Sequence, residues 1–253
     1  MIQIKNSVQI AAMKEAGRIT GEALLVAREH IREGISTKQL DTLIRQHIEK
    51  RGAKPSFLGL YGFPGSACIS INDEVIHGIP SEKRILQEGD IVKIDVGAFY
   101  KGYHGDSART FAVGRVSEEA ARLIAATKES FYRGLDAVRI GNRIGDIGHA
   151  IDSYVTGQGF SAVRRYVGHG VGRAVHEAPD VPNYGTPGRG PRLSAGLVIA
   201  IEPMINAGSC EVCQLSDGWT VKTADGKLSA HYENTVALTA DGVINLTEVE
   251  RGE

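Results

Sequence analysis

The chain has only three cysteines, one tryptophan and three methionines in 253 residues, and its formal charge is −1, from 29 basic and 30 acidic residues. Each scarcity excludes something. Three cysteines make no disulfide framework and suit a reducing compartment. Cys210-Glu-Val-Cys213 has redox or metal spacing, but no second pair accompanies it, so it carries little weight. Cys68 has apolar neighbours and reads as a small packed hydrophobe. The balanced charge gives no electrostatic footprint for nucleic acid or for a membrane surface. No apolar run approaches the roughly 18 residues that span a bilayer. The first ten residues lack the apolar core and cleavage site of a secretory signal. What remains is an ordinary globular composition, long enough for one large domain or two intimate halves.

Glycine, by contrast, is plentiful at 31 residues, and it punctuates the chain. Residues 7–32 have the apolar spacing of a helix, with Ile10, Met13, Ile19, Ala23 and Val26 on one face and Ser7 as N-cap. Gly34 ends it. Ser36 caps a second helix, whose apolar face is Leu40, Leu43, Ile44 and Ile48, and Gly52 ends that one. A Gly/Pro segment (Gly59, Gly62, Pro64, Gly65) leads to a predicted strand, Ala67–Ile71, and then to Val75-Ile-His77-Gly-Ile-Pro80. Residues 89–113 read as two strands joined by a glycine-containing turn. Each strand carries one carboxylate among apolar residues, Asp95 and Asp106. A buried carboxylate must be paired or bound to a cation. Two of them close together call for a cation between them.

The second half repeats this order. Ser117 caps a predicted helix to about Arg139, Gly141 follows, and a second helix covers roughly 144–156. Then come Gly168-His169-Gly170-Val-Gly172, Ala174-Val-His176-Glu-Ala-Pro179, and strands over 197–202 and 230–238. Gly34 and Gly141, Gly89 and Gly196, and Asp95 and Glu202 all share an offset of 107. Asp106 and Glu233 share an offset of 127, so about 20 extra residues, among them Cys210, Cys213 and Trp219, lie between the second pair of strands. His77 and His176 match at 99. The pattern is a duplicated α+β unit, and duplication about a pseudo-two-fold axis brings all four carboxylates together.

Four carboxylates in one pocket can bridge two divalent ions roughly 3.5–4 Å apart, which activate water at neutral pH. His169, between glycines that let backbone approach closely, is the candidate for the ligand that breaks the symmetry. Oxygen-rich ligation with one imidazole suits Mn²⁺, Fe²⁺ or Co²⁺, with Zn²⁺ also admissible. The ion holding His169 is expected to bind more tightly. The bland alternative is a set of buried ion pairs to Lys93, Arg109 or Lys222.

Taken together, His77-Gly-Ile-Pro, Ile94-Asp95-Val-Gly, Gly102-Tyr-His-Gly-Asp106, Gly168-His169-Gly-Val-Gly, Ile201-Glu202-Pro-Met, Asp217-Gly-Trp219-Thr and Ser229-Ala-His-Tyr-Glu233-Asn-Thr resemble a bacterial type I methionine aminopeptidase. The resemblance covers nearly the whole chain. It implies an α+β pita-bread fold, with two pseudo-symmetric halves (roughly 7–113 and 117–240) and an antiparallel sheet around a dinuclear site, in one catalytic domain spanning 1–253. It places five ligands on Asp95, Asp106, His169, Glu202 and Glu233. Asp106 and Glu233 bridge, Asp95 completes one ion, and His169 with Glu202 completes the other. Glu202 is implied as proton shuttle, His176 as oxyanion partner, and His77 as a contact just beyond the methionine.

Phe63, Cys68 and Trp219 match the family's methionine pocket, while Leu60 and Val175 stand where larger aromatics are expected. His231 stands where glutamine is common; with His104 it is read as a supporting polar group rather than a ligand. A monovalent cation near Asn72, Glu74 and Ser229 is also implied. So is a cytoplasmic monomer that trims the initiator methionine from nascent chains at the ribosome, preferably before a small second residue, with no nucleic-acid or membrane partner. Xaa-Pro peptidases and creatine-type hydrolases of the same fold carry a substantial extra N-terminal domain, whereas this sequence enters its first repeat helix almost at once. An inactive binding module of this fold loses ligands, and here all five are present.

Overall fold

The computed structural model describes residues 1–248. Four helices form its outer faces: α1 (Ser7–His30), α2 (Thr37–Lys50), α3 (Glu118–Asp136) and α4 (Ile144–Gly157). Among the described residues none is long and apolar enough to cross a membrane. The cap of α1 is Asn6, not Ser7. Asn6 accepts from the Gln9 N–H, and the Gln9 side chain accepts from the Asn6 N–H. This reciprocal pair satisfies two orphan donors. A cap at Ser7 would have Ile10 at the returning position and no such partner. The helix also stops at His30, because Ile31 is already extended. Ser36 and Ser117 cap α2 and α3 as their spacing predicts.

The first half is built on the hairpin Ile91–Tyr100 and Tyr103–Ala112. Lys101 and Gly102 turn it with φ of 49° and 85°, the left-handed pair that matches strand twist. Ala67–Ile71 lies along its outer edge. In this ladder Cys68 faces Asp95, Asp95 faces Ala108, and Gly97 faces Asp106. Asp95 and Gly97 share a face, so the two aspartates meet diagonally on one side of the sheet.

The second half repeats the arrangement with Gly168–Gly170, Val198–Ile201 and Asn234–Thr239. Its inner strand is not continuous over 230–238. Ser229–His231 pairs with Met204–Asn206, and the ladder lapses at Glu202-Pro203 opposite Tyr232-Glu233. Register is unchanged across the gap, with Ile201 facing Asn234 on one side and Met204 facing His231 on the other. Pro203 has no N–H to give. The Glu233 backbone turns away to the other half, where its N–H donates to Ala108 at 2.9 Å and its carbonyl accepts from Ala108 at 3.3 Å. A matching contact lies beside it. The Asp106 N–H donates to Thr235 Oγ1 at 3.0 Å, and that hydroxyl donates to the Asp106 carbonyl at 2.8 Å. Asp106 corresponds to Glu233 and Ala108 to Thr235, so the two contacts are pseudo-symmetry mates, one made by main chain and the other by a threonine.

Each half buries its own apolar core. Ile19, Leu40, Ile44 and Ile94 lie under α1 and α2; Leu123, Phe131, Ile147 and Ile199 lie under α3 and α4. The extra residues of the second half form the strands Val212–Gln214 and Val221–Thr223, and the latter pairs with Glu74–Ile76 of the first half.

Helix α1 sits unusually close to the first hairpin. A Cβ at Gly105 would stand 2.7 Å from Gly17 Cα. Thr20, fully buried, accepts from the Ala98 N–H at 3.1 Å and faces the Gly105 carbonyl at 3.2 Å. Because both sides of the contact are backbone, Gly105→Ala is expected to destabilise by about 1–3 kcal/mol, the usual range for overpacking. Thermal unfolding reads this directly, and an unchanged midpoint would show that the helix can move away freely.

Candidate metal centre

The diagonal aspartates of the first hairpin and the two glutamates at the gap of the second come together where the halves join. Asp106, Glu202 and Glu233 are at most 9 % exposed. Asp95 Oδ1 and Asp106 Oδ1 are buried with no hydrogen-bond partner. The basic side chains expected in the ion-pair alternative to neutralise them are engaged elsewhere. Lys93 donates to the Asn72 carbonyl, Lys222 pairs with Asp73, and Arg109 reaches the Glu233 main-chain carbonyl and Asn234. Among the described residues, the only basic side chains in ion-pair range of the four acids are imidazoles. His169 Nε2 lies 3.4 Å from Glu202 and 3.8 Å from Asp106; His231 Nε2 lies 3.7 Å from Glu202 and 3.8 Å from Glu233.

His169 is aimed by its surroundings. Its Nδ1 is 2.9 Å from the Gly170 carbonyl, so Nδ1 carries the proton and Nε2 turns a lone pair toward the acids. Burial, with His176 adding to it, pushes its pKa down to about 4 and keeps it neutral. The strand bearing it is squeezed between neighbours: a Cβ at Gly168 would stand 2.4 Å from the Ala200 carbonyl, and one at Gly170 2.3 Å from the Ala178 carbonyl. Glycine is therefore required on both sides of the histidine. Glu177 ties down the following loop, accepting from Lys5 at 2.7 Å and from the Arg173 N–H at 2.8 Å.

Two sets of donor atoms each fall within 4.8 Å, one from Asp95, His231 and Glu233, the other from Asp106, His169 and Glu233. Glu233 belongs to both. Buried carboxylate oxygens without partners, two imidazole nitrogens and one shared acid are donors suited to divalent cations. Glu202 stands beside His169 without being needed to complete either set.

The acids open into a cavity of about 360 Å³. Its apolar wall is Phe63, Cys68, Leu60 and Trp219, with Val175 buried in the same cluster behind it. The Phe63 and Trp219 rings meet edge to face at 5.1 Å. Cys68 is directly across the ladder from Asp95, so this wall adjoins the acids; burial, then Asp95, pushes its thiol well up, and it stays protonated. His77 and His176 both line the cavity. His176 lies 4.4 Å from the His169 ring, and Tyr61 stacks on it at 5.9 Å. His77, at φ 59°, is set against Tyr166 and Trp219. Burial lowers both histidines, His77 to about 4.

Sequence reasoning missed Phe57, Tyr61, Ile76 and Tyr166 in this lining. Tyr61 carried a faint signal, as a large aromatic between glycines. His104 is held outside the lining, with Nδ1 2.8 Å from Ser56 Oγ. Of the backbone oxygens expected to hold a monovalent cation, that of Asn72 is already engaged: it accepts from the Lys93 ammonium at 2.7 Å and the Ser229 N–H at 3.0 Å.

The sequence profile of metallopeptidase family M24 matches residues 11–240. This chain belongs to that family. It is 55 % identical over 250 residues to a methionine aminopeptidase of Clostridium perfringens, an alignment that takes in 99 % of this chain and 100 % of that protein. The crystal structure of a methionine aminopeptidase from Thermotoga maritima superposes with a TM-score of 0.96 at 42 % identity, over 98 % of this chain and 100 % of that one. The prolidase from Pyrococcus furiosus, another structural relative, gives 0.80 at 26 % identity, and this chain spans only 66 % of it. The M24 chain thus has the α+β pita-bread fold, and membership of a metallopeptidase family agrees with the donor set.

Without cations, burial and then mutual repulsion hold Asp95, Glu202 and Glu233 well above the usual carboxylate range, and burial raises Asp106 to about 7. In the unfolded chain such groups titrate near pH 4, about 3.9 for Asp and 4.3 for Glu. Protonated carboxyls therefore stabilise the metal-free fold below that pH, and this stability is lost as pH rises through about 7 and beyond. Cations replace the protons. Chelation should accordingly lower the thermal midpoint more at pH 8 than at pH 5. Equal losses at the two pH values would mean that the acids are not the metal-holding groups.

Proposed function

We propose that this chain removes the initiator methionine from new polypeptides, as a dinuclear metal-dependent aminopeptidase acting best before a small second residue. The observation that carries the reading is the continuity of one cavity, in which an apolar, aromatic-walled recess begins one cross-strand neighbour away from Asp95. The full-length likeness to methionine aminopeptidases points the same way.

In this reading Asp95, Asp106, His169, Glu202 and Glu233 would hold two divalent ions within a single catalytic domain. Bound there, such ions supply Lewis acidity and lower the pKa of water toward neutrality. Mn²⁺, Fe²⁺ and Co²⁺ suit the donors best. The expected monovalent ion is not part of the proposal, since the Lys93 ammonium already faces the Asn72 carbonyl.

The side chains do the rest. Glu202, buried at the cluster edge, takes the proton of the attacking water and passes it to the leaving amine. His176, kept neutral by burial, donates a ring N–H to the carbonyl oxygen as it gains charge. His77, set against Tyr166 and Trp219, contacts the peptide just beyond the scissile bond. Phe63, Cys68, Leu60, Val175 and Trp219 enclose the methionine side chain, and the Trp219 ring suits a thioether. Smaller residues at Leu60 and Val175 leave the recess wider than large aromatics would. The site of action proposed is the cytoplasm, on nascent chains at the ribosome, by a monomer.

The test is hydrolysis of Met-Ala-Ser, Leu-Ala-Ser and Xaa-Pro peptides after chelation and return of each metal. Methionine should be released selectively. Glu202→Gln should lower kcat by about 10²–10⁴-fold, the usual reach of general acid–base catalysis. His176→Ala should lower kcat by about 10²–10³-fold with KM little changed, as for a lost oxyanion donor. Preference for Xaa-Pro would overturn the assignment.

A further inference from the structure

His231 is left without a role by that mechanism, yet the fold places it with care. It is 1 % exposed, and neither ring nitrogen has a hydrogen-bond partner among the described residues. A buried polar group left in that state costs about 1–3 kcal/mol. Its counterpart in the repeat, His104, does not bear this cost, because Ser56 satisfies it. The backbone of His231 is firmly held. Its N–H donates to Thr110 Oγ1 at 2.8 Å, the same hydroxyl donates to its carbonyl at 2.8 Å, and it pairs with Met204 across the ladder. The ring therefore reaches the acids from a rigid base.

Its Nε2 lies 3.7 Å from Glu202 Oε2 and 3.8 Å from Glu233 Oε2. Both gaps are too long for a hydrogen bond. The gap to Glu233 fits two donors on one cation, since metal–ligand bonds of about 2.0–2.2 Å put neighbouring donors roughly 3–4 Å apart. Asp95, His231 and Glu233 supply one such set of donors, and His169 belongs to the other.

We propose that His231 Nε2 is a protein ligand of the ion held by Asp95 and Glu233. The proposal rests on the dinuclear reading of the site and deepens it: each ion then has one imidazole, His169 on one and His231 on the other. Nitrogen in place of oxygen raises affinity for Fe²⁺, Co²⁺ and Zn²⁺ relative to Mn²⁺ at that position. It also satisfies one of the two orphaned ring nitrogens, since Nε2 gains the cation. A glutamine at this position would offer only a weakly binding amide.

The apoprotein loaded with Co²⁺ alone provides the test. A ligating imidazole keeps one N–H, which gives an exchangeable, strongly shifted proton resonance in the cobalt protein. Two such resonances are expected when two ions are bound, and one in His231→Gln. In stepwise calorimetric titration that variant should bind the second Co²⁺ about 10–100-fold more weakly, with the first within twofold of wild type. Wild type with two bound ions and a single shifted imidazole would overturn the proposal while leaving the dinuclear site intact. A protein that took up no Co²⁺ would overturn both. The wild-type count needs no variant, so a folding defect in His231→Gln could not shield the idea.

Discussion

Four carboxylates are buried where two hairpins exchange bonds, and the rest of the molecule depends on that crossing. Its direct bonds include two between Ala108 and Glu233, two between Asp106 and Thr235, two between Thr110 and His231, and those of Ser107 and Arg109 to the Glu233 carbonyl. At about 1 kcal/mol each they contribute several kcal/mol. Burying an ionised carboxylate costs several kcal/mol even after relaxation, and here there are four. At neutral pH protons or cations offset that cost, so metal binding and the docking of the halves belong to one equilibrium.

The two halves do not meet this demand in the same way. In the first, the ladder is intact and the aspartates lie diagonally, two residues out of register. In the second, the glutamates stand directly opposite each other, at the level where Pro203 interrupts the ladder. The mismatch is absorbed at the axis, where a main-chain pair on one side becomes a threonine hydroxyl on the other. An exact two-fold would present two equal sets of donors. The offset, with His169 entering from a third strand, makes the donor sets unequal.

Much of this is legible in the sequence. The repeated acids, the constant offsets and the glycines beside His169 each have a local physical cause, as do the serine caps of α2 and α3. The cap at Asn6 was missed because Ser7 is an equally good cap type, and only the returning Gln9 decides between them. The gap at Tyr232-Glu233 was missed because its residues are good strand formers; the reason for the break lies on the partner strand, at Pro203. His231 is a similar case. In the sequence it is one more histidine near an acid. Only the absence of a partner for either ring nitrogen, a three-dimensional fact, separates it from His104.

The second-half insert shows how a wall can be added to such a crossing without disturbing it. Its hairpin leaves its own half and pairs with Glu74–Ile76, so Trp219 arrives beside His77 and Phe63 from across the molecule. Asp217 fixes the turn by accepting from the Trp219 and Thr220 N–H groups at 2.8 and 2.9 Å. The residues that hold charge are thus set by the duplicated core, whereas the apolar wall beside them rests partly on a strap added to one copy. Changes in that strap can reshape the wall while the four acids stay where the fold requires them.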